Sequence, residues 1–261
     1  GDVNADGYDD FLVASNKDFA GTVYLLLGSA SPAGTSLATA LQYTGETNSD
    51  GLGYSASNAG DVDGDGYDDL ILGAPQQTGF GNGAGGAYLI LGSTSPFAKY
   101  TGEQEGDGSG VDVSGADDIN ADGYDDFLIG RRPVAGHDGG NSSAYLVLGS
   151  QSPASASLSS AAEYTGEVGS VSGAGDVDAD GYHDFLVGGS GEAYLVLGTA
   201  APAGGSFANA VIYTGGVAYP SLSAAGDVDA NGYGDLLIGE GGNDDAGHWA
   251  GTAYLVLGRG L

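Results

Sequence analysis

A fifteen-residue pattern recurs five times: GDVNADGYDDFLVAS from Gly1, GDVDGDGYDDLILGA from Gly60, DDINADGYDDFLIGR from Asp117, GDVDADGYHDFLVGG from Gly175 and GDVDANGYGDLLIGE from Gly226. Its first loop aspartates, Asp2, Asp61, Asp118, Asp176 and Asp227, lie 59, 57, 58 and 51 residues apart. Self-similarity at that period restricts the fold to architectures in which each unit is one supersecondary element that buries its apolar face against the next copy. Two further echoes keep the same order. A Tyr-Leu run follows as TVYLLLGS from Thr22, GAYLILGS from Gly86, SAYLVLGS from Ser143, EAYLVLGT from Glu192 and TAYLVLGR from Thr252; YTGE stands at Tyr43, Tyr100 and Tyr164, and YTGG at Tyr213.

Each unit supplies short apolar runs bounded by glycine. Phe11–Val13, Leu70–Leu72, Phe127–Ile129, Phe185–Val187 and Leu236–Ile238 are continuous rather than alternating, as expected of strands covered on both faces, and too short for helices. With a small-residue strand before the acidic loop (A), the run after it (B), the Tyr-Leu run (C) and the YTG segment (D), each period holds four strands, the content of a β-propeller blade. The expected fold is therefore all-β: a β-propeller, or part of one, of four-stranded antiparallel blades with a loop between strands A and B, in units of about 1–50, 51–107, 108–167, 168–216 and 217–261. Strands B and C occur five times but A and D only four. Imperfect closure of five units, a larger propeller, and strands supplied by a second chain through edge addition are all compatible with that count. The abrupt start at Gly1, without methionine, is what a processed product or a fragment would show.

Within every acidic loop the pattern is D-x-[DN]-x-[DN]-G-x-x-D. Oxygen donors stand at positions 1, 3, 5 and 9: Asp2, Asn4, Asp6 and Asp10; Asp61, Asp63, Asp65 and Asp69; Asp118, Asn120, Asp122 and Asp126; Asp176, Asp178, Asp180 and Asp184; Asp227, Asp229, Asn231 and Asp235. Hard divalent cations want six to eight oxygens, and alternate positions of a tight loop aim several at one centre, with glycine at position 6 permitting the turn. Position 7 is always tyrosine (Tyr8, Tyr67, Tyr124, Tyr182, Tyr233), expected to contribute its carbonyl while the ring packs on the blade. Position 8 varies (Asp9, Asp68, Asp125, His183, Gly234) and so is not a required ligand. No glutamate follows at position 12 and a strand, not a helix, comes next, which separates the loop from an EF-hand. Asp-Gly and Asn-Gly pairs are also ordinary turn chemistry, but five in register favour a metal. An almost all-protein oxygen cage favours calcium over magnesium, about five structural ions in all.

Composition removes other classes. Thirty-five acidic side chains face only five cations, a formal net charge of −30, so nucleic-acid binding and anionic membranes are disfavoured. Seventeen of the acidic residues are aspartates of the loop positions, which assigns about half of that charge to metal chemistry. No apolar run approaches the roughly 20 residues that cross a bilayer, so no membrane insertion is expected. The absence of cysteine excludes disulfides and thiolate metal sites.

The segment GDVDGDGYDDLILGAP from Gly60 to Pro75, with GAYLILG after it and Gly53–Ser55 before it, resembles the FG-GAP repeat of integrin α-subunit propellers and their bacterial relatives. The Phe-Gly element is degenerate (Leu52-Gly53, Gly108–Gly110, Val168-Gly169), and Gly-Ala-Pro survives only at Gly73–Pro75. The resemblance implies calcium in the A–B loops on one face and ligand recognition on the opposite face; the ligand expected there is a protein or a glycan. It implies an adhesion or recognition module, extracellular or at the cell surface. On that opposite face the variable segments are Asn16–Ala20, Gln76–Gly85, Arg131–Ser142 and Glu240–Ala250. They include the cationic cluster Arg131, Arg132, His137 and Asp138, and the single tryptophan in His248-Trp249; each group reads equally as ordinary loop chemistry. Catalysis is not expected: His137, His183 and His248 sit in different repeats, without HExxH, GxSxG or cysteine. Glu46, Glu103 and Glu167 recur with the repeat, which points to a structural role. The alternative is a structural subunit of a surface or filament assembly that self-associates through unpaired edge strands.

Overall fold

The structure is a computed structural model that describes residues 1–15, 19–31, 36–76, 83–92, 97–133, 141–218, 220–241 and 250–259. It is all-β. In chain order the strands are β1 (Phe11–Ser15), β2 (Thr22–Leu26), β3 (Leu41–Thr44), β4 (Ala56–Gly60), β5 (Asp69–Gly73), β6 (Gly86–Ile90) and β7 (Phe97–Thr101). There follow β8 (Ser109–Asp117), β9 (Asp126–Arg131), β10 (Ser143–Val147), β11 (Ala156–Ser157), β12 (Ala162–Thr165), β13 (Ser170–Gly175) and β14 (Asp184–Gly188). The last are β15 (Ser190–Val196), β16 (Gly205–Ser206), β17 (Val211–Ala218), β18 (Ser221–Gly226), β19 (Asp235–Glu240) and β20 (Thr252–Val256).

They form five propeller-type sheets: β1-β2-β3, β4-β5-β6-β7-β11, β8-β9-β10-β12-β16, β13-β14-β15-β17 and β18-β19-β20. Strands A to D of each repeat lie side by side and antiparallel, joined as a meander. The A and D deficit is visible: among the described residues the first sheet has no strand beside β1 on its outer flank and the last has none beyond β20. Two sheets gain a strand that the repeat count does not contain, because β11 and β16 pair in parallel with the D strand of the preceding sheet, β7 and β12 respectively.

The uninterrupted apolar runs are explained by packing on both faces. Phe127, Ile129 and Tyr145 point back onto Ile71 and Leu89 of the second sheet, whereas Leu128 and Leu146 point forward onto Phe185 and Val187 of the fourth. Leu186 and Leu195, opposite one another in register, meet Leu236 of the fifth. Strands A are built of small residues because they approach one another closely: a Cβ on Gly115 would lie 2.7 Å from the Asn58 carbonyl oxygen, and one on Gly173 2.8 Å from that of Gly115. Extensive packing between strands joins only consecutive sheets among the described residues. The outer faces are correspondingly bare: Leu237 and Leu255, the counterparts of the fully buried Leu186 and Leu195, are 43% and 50% exposed.

Each wide C–D connection carries a 3₁₀ turn, at Leu37–Thr39, Leu158–Ser160 and Phe207–Asn209. Leu158 is driven into the cluster between the second and third sheets, and Phe207 stacks on Tyr194 and Tyr164 between the third and fourth. Leu37, with no sheet before it, is left partly exposed.

Candidate metal centres

The five acidic loops share one backbone path. Position 4 is in the left-handed region in every copy (Ala5 φ 52°, Gly64 73°, Ala121 57°, Ala179 58°, Ala230 58°), and so is the glycine at position 6, with φ between 88° and 93°. Left-handed alanine costs about 1–2 kcal/mol, so four loops hold strain that their side-chain hydrogen bonds must offset. In the second loop the Asp65 N–H donates to Asp61 Oδ1 and Asp63 Oδ1 at 2.9 and 3.2 Å, the Gly66 N–H to Asp61 Oδ2 at 2.9 Å, and the Tyr67 N–H to Asp65 Oδ1 at 3.1 Å. The same set of bonds recurs in the first, third, fourth and fifth loops. Backbone donors thus pull the side chains of positions 1, 3 and 5 toward the centre of the turn.

Position 9 closes the loop onto the sheet. Asp69 and Asp126 are fully buried; each accepts one N–H from position 2 of its own loop and one from the glycine that ends strand C. Asp10, Asp184 and Asp235 make the same pair of bonds. That glycine has no substitute, since a Cβ on Gly92, Gly149 or Gly198 would lie 2.1 to 2.5 Å from the carbonyl oxygen of position 8. The glycine of every Tyr-Leu run is plain in the sequence, but that it and position 9 form one joint is a contact across the sheet that no local pattern encodes.

Carboxylate oxygens of Asp61, Asp63 and Asp69 lie within 4.8 Å of one another, as do those of Asp176, Asp178 and Asp184, and of Asp227, Asp229 and Asp235. In the first and third loops position 3 is an amide, and Asn4 and Asn120 donate to the carboxylates of Asp6 and Asp122 at 3.2 and 3.0 Å. In the fifth, Asn231 donates to the Gly258 carbonyl at 3.1 Å. Burial, opposed by the two backbone hydrogen bonds, pushes Asp69 and Asp126 up to about 7 and Asp184 to about 6. Burial and then the neighbouring aspartate also raise Asp63 and Asp178. Crowded carboxylates that resist ionisation are what a divalent cation relieves, and the donor set is entirely oxygen, so these residues fit a hard cation.

The tyrosines of position 7 are partly buried, apart from Tyr8 at the open end; Tyr124 lies over Gly64 of the preceding loop. Of the variable segments, His137, Asp138, His248 and Trp249 lie outside the described residues. Arg131 is not available as a ligand-binding cation. It is buried at the end of β9, 2.9 Å from Asp107 and 3.4 Å from Glu163. Glu46 pairs with Lys99 at 2.9 Å and Glu103 accepts from the Tyr145 hydroxyl at 2.9 Å, both ties between consecutive sheets.

Residues 52–90 match the family model described as FG-GAP repeat. Integrin alpha-PS2 of Drosophila melanogaster is 33% identical over 173 residues, 58% of this chain and 12% of that protein. Integrin alpha-5 of Xenopus laevis is 32% identical over 207 residues, 72% of this chain and 19% of that protein, and integrin alpha-IIb of Mus musculus 31% over 145 residues, 49% and 14% respectively. The chain spans less than a fifth of the length of these relatives. Repeats, sheets and matches agree that the chain is an integrin α-like FG-GAP repeat protein.

Proposed function

We propose that the chain is a calcium-stabilised propeller module for adhesion or recognition outside the cell or at its surface. The observation that carries the reading is the acidic loop, whose backbone path all five repeats share and whose carboxylates converge in the second, fourth and fifth. The ligands are those at positions 1, 3, 5 and 9 with the position 7 carbonyl, about one calcium ion per loop, in the unit boundaries expected from the repeat. Calcium suits the all-oxygen, flexible set better than magnesium, and extracellular calcium is abundant enough for sites of modest affinity. Its role is structural: it neutralises carboxylates that would otherwise repel and holds the strained alanines in place. Among the described residues no helix is long and apolar enough to cross a membrane.

Similarity to integrin α chains supports a role in adhesion or recognition. On our reading the ligand is a protein or a glycan, taken at the strand ends away from the acidic loops and without catalysis. Native mass spectrometry tests the metal: about five calcium ions are expected, and a mass unchanged between calcium and EGTA refutes the reading. Arrays of matrix proteins and of glycans test the recognition; no calcium-dependent binding on either sinks it.

A second reading, a subunit of a larger assembly completed by strand exchange, is favoured by the exposed Leu237 and Leu255 of the last sheet. Light scattering that finds one monomeric mass at all concentrations rules it out.

A further inference from the structure

Position 8 is the one acidic position of the loop that turns away from its own cluster. Asp68, in the second loop, accepts the N–H of Asp2 in the first at 2.9 Å through Oδ2, while its own N–H donates to the Asp2 carbonyl at 3.2 Å. Asp125, in the third loop, does the same to Asp61 in the second, at 2.8 and 3.2 Å. Each therefore grips, by both backbone groups, the residue that opens the preceding loop. The backbone half of this latch continues along the arc, from His183 to Asp118 at 3.3 Å and from Gly234 to Asp176 at 2.7 Å. The carboxylate half does not. His183 instead places Nδ1 3.6 Å from Asp117, and Gly234 has no side chain.

The space around the residue before position 1 reflects this difference. A Cβ on Gly1 would lie 1.8 Å from Asp68 Oδ2, and one on Gly60 2.2 Å from Asp125 Oδ2, so a side chain there would displace the latching carboxylate. Where histidine replaces it, Asp117 stands in the glycine's place at φ 54°. Where Gly234 replaces it, a Cβ on Gly175 would meet nothing within 4 Å.

We propose that Asp68 and Asp125 are positioning residues that couple calcium binding between neighbouring loops: first with second, and second with third. The proposal rests on the calcium reading above. Ordering of one loop by its ion fixes position 8, which fixes the backbone of the preceding loop's first ligand and so preorganises that site; by linkage the effect is reciprocal. The fourth and fifth loops, joined by the backbone bond alone, bind independently.

The test follows the amide signals of the position 6 glycines, Gly7, Gly66, Gly123, Gly181 and Gly232, in the full chain by NMR during a titration with calcium chloride. Asp125→Ala is expected to weaken the second site about fivefold or more, although all its ligands are intact. Asp125→Asn, which keeps an acceptor for the Asp61 N–H, recovers most of the loss; equal losses in the two variants would mean a simple charge effect and overturn the proposal. Disabling the third loop with Asp122→Ala weakens the second site in the native background but not beside Asp125→Ala; equal effects in both backgrounds overturn the coupling. Gly234→Asp, whose Cβ would lie 3.0 Å from the Ala174 carbonyl oxygen and so asks the backbone to give by a few tenths of an ångström, brings a carboxylate beside the open space at Gly175 and is expected to tighten the fourth site, a gain that misfolding cannot imitate. No calcium-dependent shift at any glycine overturns the calcium reading and this proposal together, whereas calcium binding unaffected by Asp125→Ala overturns the coupling alone. In chelator, faster hydrogen exchange at the Asp61 amide in Asp125→Ala reports the latch without metal.

Discussion

Removing the metal should reverse the way stability responds to acid. In the metal-free protein Asp69 and Asp126 are held at about 7 and Asp184 at about 6, against about 3.9 for an unfolded aspartate. A carboxyl whose pKa is raised by folding favours the folded state fully below its unfolded value and loses that contribution as pH rises through the folded one. Taking the chelated protein from pH 7.5 to 5.5 should therefore stabilise it by about 2 kcal/mol for each of Asp69 and Asp126 and about 1 kcal/mol for Asp184. For a chain of this size that is a rise in melting temperature of roughly 10 °C. The calcium-loaded protein should move the other way, because protons compete with the ion for the same oxygens. Repulsion among the exposed acidic residues is also relieved by acid, so the melts should be run in about 1 M salt, which screens surface charges but not buried ones. Calorimetry in EGTA and in calcium at both pH values gives the four melting temperatures. A chelated protein whose melting temperature stays flat or falls on acidification would refute the argument that desolvated position 9 aspartates oppose the metal-free fold.

Three other outcomes follow from the packing. Phe207→Ala and Leu158→Ala, which empty the plugs between sheets, should each cost about 3 kcal/mol in urea unfolding, whereas Leu37→Ala at the open end should be close to neutral. Asp107→Ala should cost about 3 kcal/mol by leaving the buried Arg131 charge with the more distant Glu163 as its remaining carboxylate; Asp107→Asn, which keeps an acceptor, should cost less, and equal losses would contradict the ion-pair account. Ala121→Gly relieves a left-handed alanine and should raise the melting temperature in EGTA by the equivalent of about 1 kcal/mol, while Gly64→Ala should lower it.

The repeat made the sheets legible because each B and C run is a strand that must be covered on both faces, and Leu128 and Phe127 do face opposite neighbours. The oxygen-bearing positions were legible for the same reason, since five copies show where exchange is confined to aspartate and asparagine. What escaped were contacts between repeats. Leu158 and Phe207 occupy a spacing that is neither strand nor helix period, and their meaning lies in the sheet before them. Variation at position 8 reads as tolerance within one loop and becomes a rule only when Asp125 is seen against Gly60. Arg131 stands in the sequence as part of a cationic loop cluster because its partner Asp107 belongs to another repeat.

That extensive packing among the described residues joins only consecutive sheets has a consequence for how the molecule comes apart. A stack in which each layer leans on its neighbours has no single centre, and its stability is close to a sum of nearest-neighbour terms. β5, β9, β10 and β14 are buried along their whole length, whereas β1 and β20 are largely open. Amide exchange should accordingly be slowest in the third sheet and quicken toward both ends, with the outer layers opening while the middle stays closed. Any further layer laid on either end would slow exchange most in the sheet it touches and least in the one farthest away, so the protection profile alone would show which end a partner occupies.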